Sequence, residues 1–403
     1  MSRPRRLPAT LVAALLATGL LTLSACAGGS GSDDGSATQP PDASPSADAQ
    51  VTQGHDGHRV KPAKARPLRA GETRTTIAMP GSYTPSAPYG VGTDDYRCFL
   101  LDPELDKPAW LTGTQILPGN PDVVHHVILF QVPPEQVAAA EAKDEAEDGE
   151  GWTCFGGTGL DPFQNVDRSP WIGAWAPGGE ESVTKPGFGI RLAKGSRIVM
   201  QVHYNLLAGQ EPDTSAAQLR LAPASRNYQA LSTMLLPAPV ELPCRPQHDD
   251  GPLCDRDAAL ADVKQRFGAE GNTADLLHLL CGGKPEPGQT QSCLRTMSEP
   301  ITIHGVAGHM HLLGRSIKIE VRPGTPQAQT ILDIPVWDFD DQGSRPIKPI
   351  TLQPFEQVKV TCTHVQWLRD KLPAFEGQPD RYVVWGEGTT DEMCLGMLQV
   401  TRP

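Results

Sequence analysis

From about residue 72 onward the chain reads as short apolar runs separated by Gly, Pro, Asp and Asn clusters. That is the pattern of antiparallel strands joined by turns. VVHHVILFQV (123–132) is apolar on both faces, so it reads as a buried strand interrupted only by its histidines. RIVMQVHYNLL (197–207) alternates. Ile198, Met200, Val202, Tyr204 and Leu206 share one face, and Val199, Gln201, His203 and Asn205 share the other. His203 therefore points away from the face that packs the core. The pattern predicts further strands over 301–306, 309–322, 329–338, 350–364, 381–385 and 394–401. In FEQVKVTCTHV, Val358, Val360 and Cys362 share the apolar face, and His364 follows on that side as a packed or hydrogen-bonded histidine.

Three stretches break the pattern. Residues 27–71 are rich in Gly, Ser, Asp, Ala and Pro without apolar periodicity and read as a disordered tether, with His55 and His58 as solvated linker residues. AGQEPDTSA (208–216) reads as a linker, which divides the body into domains at 72–210 and 211–403, the second opening with AAQLRLAP and QALSTMLLP. Residues 241–297 form a polar, helical insert in the second domain. Leu260, Val263 and Phe267 fall on one helical face, and Asn272 caps NTADLLHLLCGG, with Asp275 in its first turn and Gly282 as its stop. His248 and His278 in the insert read as surface or packing residues, and His304 has no assigned role.

The first residues read as an export signal. Arg3, Arg5 and Arg6 precede an apolar run from Leu11 to Leu23, too short to span a membrane, and Leu23-Ser24-Ala25-Cys26 closes it. The tetrapeptide resembles the bacterial lipobox, which makes 1–26 a lipoprotein signal and Cys26 the lipidated residue; an ordinary secretory signal is the other reading. The expected location is extracytoplasmic, anchored to the cell membrane.

The 403 residues suffice for two domains, and the abundance of Pro (39) and Gly (40) suits many short strands. A net charge of −12 offers no basic field to nucleic acid. Of nine cysteines, removing Cys26 leaves eight, at 98, 154, 244, 254, 281, 293, 362 and 394. An even number in an exported chain implies disulfides rather than thiolate metal sites, and no Cys-x-x-Cys pair argues otherwise. Cys244, Cys254, Cys281 and Cys293 in the insert allow three pairings. A metal site must then be built from His and Met.

Candidate ligands cluster in four places: His125-His126, His203, the pair His309 and His311 in GHMHLLG, and Met393 in DEMC. In an extended segment a His-x-His pair puts both imidazoles on one face. Two imidazoles plus a thioether lean toward copper. His125 and His126, as neighbours on a strand, point opposite ways; they share a metal only with local twist or different ring nitrogens.

VVHHVILFQ, IGAWAPGG (172–179), MQVHYN, GHMHLLG and TTDEMC occur in the order seen in the copper type II, ascorbate-dependent monooxygenases, the family of peptidylglycine α-hydroxylating monooxygenase and dopamine β-monooxygenase. The resemblance covers about residues 90–403 outside the insert. It implies an all-β fold of two tandem antiparallel, jelly-roll-like β-sandwiches, each holding one copper, two per chain. His125, His126 and His203 match the ligands of the electron-supplying copper. His309, His311 and Met393 match those of the oxygen-activating copper, where a C–H bond is hydroxylated with O2 and ascorbate as reductant. It also implies disulfides Cys98–Cys154 and Cys362–Cys394.

The sequence departs from the family where the peptide-hydroxylating enzyme grips its substrate. Ala307 stands in place of an arginine, and Leu395 and Met397 in place of Asn and Tyr. A substrate carboxylate would be buried unpaired there, so a small apolar or weakly polar substrate is expected, and the protein itself is expected to be a monomer. The insert either shapes that pocket or ornaments a sheet edge. A copper-holding or copper-delivering lipoprotein without catalysis is the competing class. A zinc hydrolase would leave Met393 and the second histidine set without purpose.

Overall fold

The structure is a computed structural model and describes residues 65–160, 165–177, 179–339 and 341–403. The expected signal, Cys26, His55, His58 and nearly all of the tether lie outside the described residues. Among the described residues strands dominate, with three α-helices, Val137–Asp144, Arg256–Phe267 and Thr273–Cys281.

The main strands fall into four sheets. The first carries Thr73–Ala78, Ala216–Pro223, Ala109–Leu117, Phe188–Leu192 and Gln229–Ala230 in that order, with Ser182–Val183 alongside. The second runs Trp152–Thr153, Asp94–Leu101, Arg197–Asn205, Val124–Val132, Trp171–Trp175. The third runs Ser232–Pro237, Leu395–Thr401, Ile301–His309, Arg345–Leu352, and the fourth Thr290–Thr296, Gln357–His364, Gly314–Val321, Gln329–Ile334. These small sheets form a four-blade, propeller-like arrangement, so the two tandem sandwiches expected from the sequence are corrected. Alternation identifies a strand and its buried face, but partner choice lies in distant contacts. AAQLRLAP shows it. Expected to open a second domain, it pairs with Thr73–Ala78 and Ala109–Leu117 in the first sheet.

Packing couples the sheets. One apolar cluster joins Ile77, Leu111 and Leu219 of the first sheet to Phe99, Leu129 and Met200 of the second. Another joins Leu236, Ile303 and Leu398 of the third to Ile317, Val360 and Cys362 of the fourth. The insert docks on this second cluster through Leu260, Val263 and Phe267, the helical face read from the sequence. Its shorter helix ends at Gly282 in the left-handed conformation, as expected, but Asn272 makes no side-chain capping hydrogen bond.

Among the described residues four disulfides form: Cys98–Cys154, Cys244–Cys254, Cys281–Cys293 and Cys362–Cys394. They mark a chain folded in an oxidising, extracytoplasmic compartment. Among the described residues no helix is long and apolar enough to cross a membrane.

Gly308 lies opposite Gly396 in the third sheet. A Cβ on Gly308 would meet Ile317 at 2.9 and 3.0 Å, and one on Gly396 would meet Ile319 at 2.8 Å. This glycine pair lets the fourth sheet close against the third beside His309. Gly308→Ala is therefore expected to cost about 1–3 kcal/mol of unfolding free energy, read from denaturant titration; an unchanged midpoint would show that the contact relaxes freely.

Candidate metal centre

The first histidine set depends on an irregular strand. Val124 pairs with Tyr204 and His126 with His203, so the register slips by one residue at His125. A β-bulge leaves one residue extra and re-aims its side chain. That is how two neighbouring histidines come to face the same point. Nδ1 of His125 lies 2.9 Å from Nδ1 of His203, and Nδ1 of His126 lies 3.3 and 3.2 Å from those two. Nitrogen ligands at about 2.0–2.1 Å from one tetrahedral ion stand about 3.3 Å apart. The three ring nitrogens thus fit a single metal ion, and together they form a group able to hold one.

His203 is fixed from behind. Its Nε2 lies 2.9 Å from Asp94 Oδ1, which also accepts from the backbone N–H (2.9 Å) and hydroxyl (2.7 Å) of Thr389. Burial pushes the Asp94 carboxyl up, but the hydrogen bonds from His203 and Thr389 outweigh it and hold its pKa at about 2. An ionised Asp94 takes the Nε2 proton of His203 as a hydrogen bond and leaves the Nδ1 lone pair facing the cage. Tyr96 stacks on His203 with ring centroids 4.0 Å apart, and Phe339 stacks on His125 at 4.9 Å.

The second set has the opposite orientation. His309 Nδ1 lies 2.6 Å from Gln342 Oε1, and His311 Nδ1 lies 3.3 Å from the carbonyl of Asp391. Both rings spend Nδ1–H on an oxygen and keep Nε2 for a ligand. Among the described residues His311 Nε2 is buried with no hydrogen-bond partner, which leaves it available to a metal. Burial, then the charge on neighbouring histidines, keeps both rings neutral, with pKa values near 3 for His309 and 4 for His311. Burial and the facing histidines likewise push His126 well below its ordinary value.

The expectation that His309 and His311 share a strand face is corrected. The strand ends at His309, and His311 sits in the turn before Gly314–Val321, where its N–H donates to Glu392 Oε2 at 3.1 Å and its carbonyl accepts from Gly314. Glu392 also accepts from Leu313 N–H and lies 3.2 Å from His364 Nε2. His364 further donates to the carbonyl of Met393 at 3.1 Å, the hydrogen-bonding role read from sequence. His278 pairs with Glu241 at 2.7 Å and His304 with Thr401 at 2.9 Å.

All six expected ligands come into one region. His126 and His309 rings are 5.9 Å apart and His309 and His311 5.1 Å. His125, His126, His309 and Met393 line one cavity of about 1110 Å³. Ala307, Leu395 and Met397 line it too, as do Leu276 and Leu280 of the insert. The insert is therefore part of the pocket wall. Asp94, Gln342, Phe339 and Thr389 were missed by sequence reasoning. Each lies in a turn or at a strand end where no periodicity marks it, and only the acidic pair in DEMC stood beside a proposed ligand.

No protein-family model matches the sequence, and no curated protein matches it. Among solved structures the chain is distantly similar to an allantoicase (12% identity, TM-score 0.18, covering 78% of this chain and 90% of that one). It is also distantly similar to the coconut allergen cocosin (10%, 0.14, 82% and 85%). A Paenibacillus xanthan lyase matches over 86% of this chain and 27% of its own (11%, 0.16). TM-scores this low carry no assignment of fold or activity.

Asp94→Asn removes the charge that orders His203. It is expected to weaken metal binding by the three-histidine set by about 10–100-fold, measured by competition with a chelator; wild-type affinity would count against the orienting role.

Proposed function

We propose that this chain is an extracytoplasmic, lipid-anchored, monomeric copper monooxygenase that hydroxylates a C–H bond of a small apolar molecule, with O2 and a reductant such as ascorbate. The observation that carries this reading is that His125, His126, His309 and Met393 line one cavity, with His203 closing the first histidine set and the His311 ring beside His309. The ordered resemblance of the same residues to the copper type II monooxygenases supports it.

The ligand set fits copper. Five imidazoles, with Met393 at the cavity wall, suit a metal held in both its reduced and oxidised forms. Bound copper would supply paired one-electron steps, so that C–H, O2, two electrons and two protons yield C–OH and water. His125, His126 and His203 would hold one ion through Nδ1. His309 and His311 would hold the other through Nε2, with the Met393 thioether as a weak third ligand. Glu392 keeps the His311 turn in place, and Gln342 keeps the His309 ring from rotating.

The pocket chemistry favours apolar substrate. Ala307, Leu395 and Met397 offer no charge or hydrogen bond to a carboxylate, and Leu276 and Leu280 extend that character. A protein that only stores or delivers copper has no need of a chamber of about 1110 Å³ beside its ligands, which favours the enzyme over that alternative.

The mature protein, loaded with copper and given ascorbate, is expected to bind two ions per chain and consume O2 with formation of a hydroxylated product from some member of an apolar panel. Met393→Leu should lower that turnover at least about tenfold. Undiminished turnover by the variant would refute the site, and tight copper without product from any substrate would assign the protein to copper holding.

A further inference from the structure

The segment Gly386–Met393 touches both histidine sets. Toward the first, Thr389 donates twice to Asp94, the carboxylate that orients His203, and the carbonyl of Glu387 accepts from Tyr96, which stacks on the same ring. Toward the second, the Asp391 carbonyl faces His311 Nδ1, Glu392 holds the His311 backbone, and Met393 follows. The segment has little room to shift. An added Cβ on Gly386 or Gly388 would meet the Asp391 side chain at 2.8 or 2.9 Å.

From the insert, Arg266 also holds this segment. Arg266, in the last turn of Arg256–Phe267, donates Nη1 to Asp391 Oδ2 at 2.6 Å and Nη2 to Asp391 Oδ1 at 2.7 Å. Its Nε donates to Asp262 at 2.9 Å, and the guanidinium lies 4.7 Å over the Phe267 ring. The fork is thus aimed by its own helix before it reaches Asp391. A two-pronged guanidinium–carboxylate contact fixes orientation as well as distance. Asp391 is almost wholly buried, and its Oδ2 also accepts from Gly388 N–H at 3.1 Å.

We propose that Arg266 is a positioning residue for the second metal set: through Asp391 it fixes the segment that orients His311 and presents Met393. The insert then has a second task beyond walling the cavity. This rests on the reading of His309, His311 and Met393 as copper ligands, and its test has a metal-free arm so that the two can fail separately.

The variants are Arg266→Met, which keeps the stem but drops the fork, and Arg266→Met combined with Asp391→Asn, which leaves neither charge buried unpaired. Arg266→Lys keeps the charge on one contact. In the metal-free protein, ¹⁵N-histidine NMR should report a fixed Nδ1–H tautomer for His311 in the wild type and averaging between tautomers in both Met variants. In the copper-loaded, reduced protein, the copper–sulfur feature in X-ray absorption should weaken in the Met variants, and second-ion affinity should fall tenfold or more. First-set affinity should change less than twofold, with Arg266→Lys intermediate. A double variant with the wild-type tautomer and copper–sulfur signal would overturn the proposal, since only charge burial would then have mattered. Loss of both sets together in the double variant would overturn it as well. Should the wild type take up no copper while the tautomer effect is present, the monooxygenase reading falls and the positioning role stands.

Discussion

Neighbouring residues on a regular strand face opposite sides of its sheet, yet the first metal cage needs His125 and His126 on the same side. The one-residue slip between Val124 and His126 resolves this conflict. With it, three Nδ1 atoms meet within 3.3 Å. Without it, one of the two rings would turn into the apolar cluster between the first and second sheets. The remaining contacts of the site refine a geometry that this bulge makes possible, including the Asp94 contact to His203 and the stacking of Tyr96 and Phe339.

The two sets use the imidazole in opposite senses. In the first, His203 gives Nε2 to a carboxylate and points Nδ1 inward; in the second, His309 and His311 give Nδ1 to oxygens and keep Nε2. A neutral imidazole has one donor and one acceptor nitrogen, so pinning one decides the other. The partners differ in strength. Asp94 is a buried, ionised carboxylate, whereas Gln342 and the Asp391 carbonyl are neutral. His203 therefore carries the more electron-rich lone pair, and the second set carries weaker donors beside a thioether. Under the proposed copper chemistry, that asymmetry would suit two ions with unlike tasks.

Strands and the histidines that gather in space were legible in the sequence because both are local signals. Histidines stand out in apolar runs, and Leu260, Val263 and Phe267 mark their helix at the expected spacing. Partnering was not legible. The strand 216–223 joins residues far earlier in the chain, in 73–78 and 109–117, and no local pattern records that. The expected strand over 309–322 ran too early because Met310, Leu312 and Leu313 are buried in a turn and imitate a strand's apolar face. The expected strand over 350–364 is two strands, Arg345–Leu352 and Gln357–His364, divided at the turn holding Pro354. Asp94 escaped notice because its meaning depends on Thr389, which reaches it from the far end of the chain.

The four disulfides share a property of order. Each joins cysteines that are consecutive along the sequence among the eight paired ones, across 56, 10, 12 and 32 positions, so no bridge encloses or crosses another. A chain crossing a membrane amino end first would present each thiol's proper mate as the next thiol to arrive. Correct oxidation then needs only that every cysteine capture its immediate successor, and isomerase-dependent reshuffling has little left to repair. The bond beside Met393 would close last, so the Met393 side chain would settle only once all other crosslinks exist.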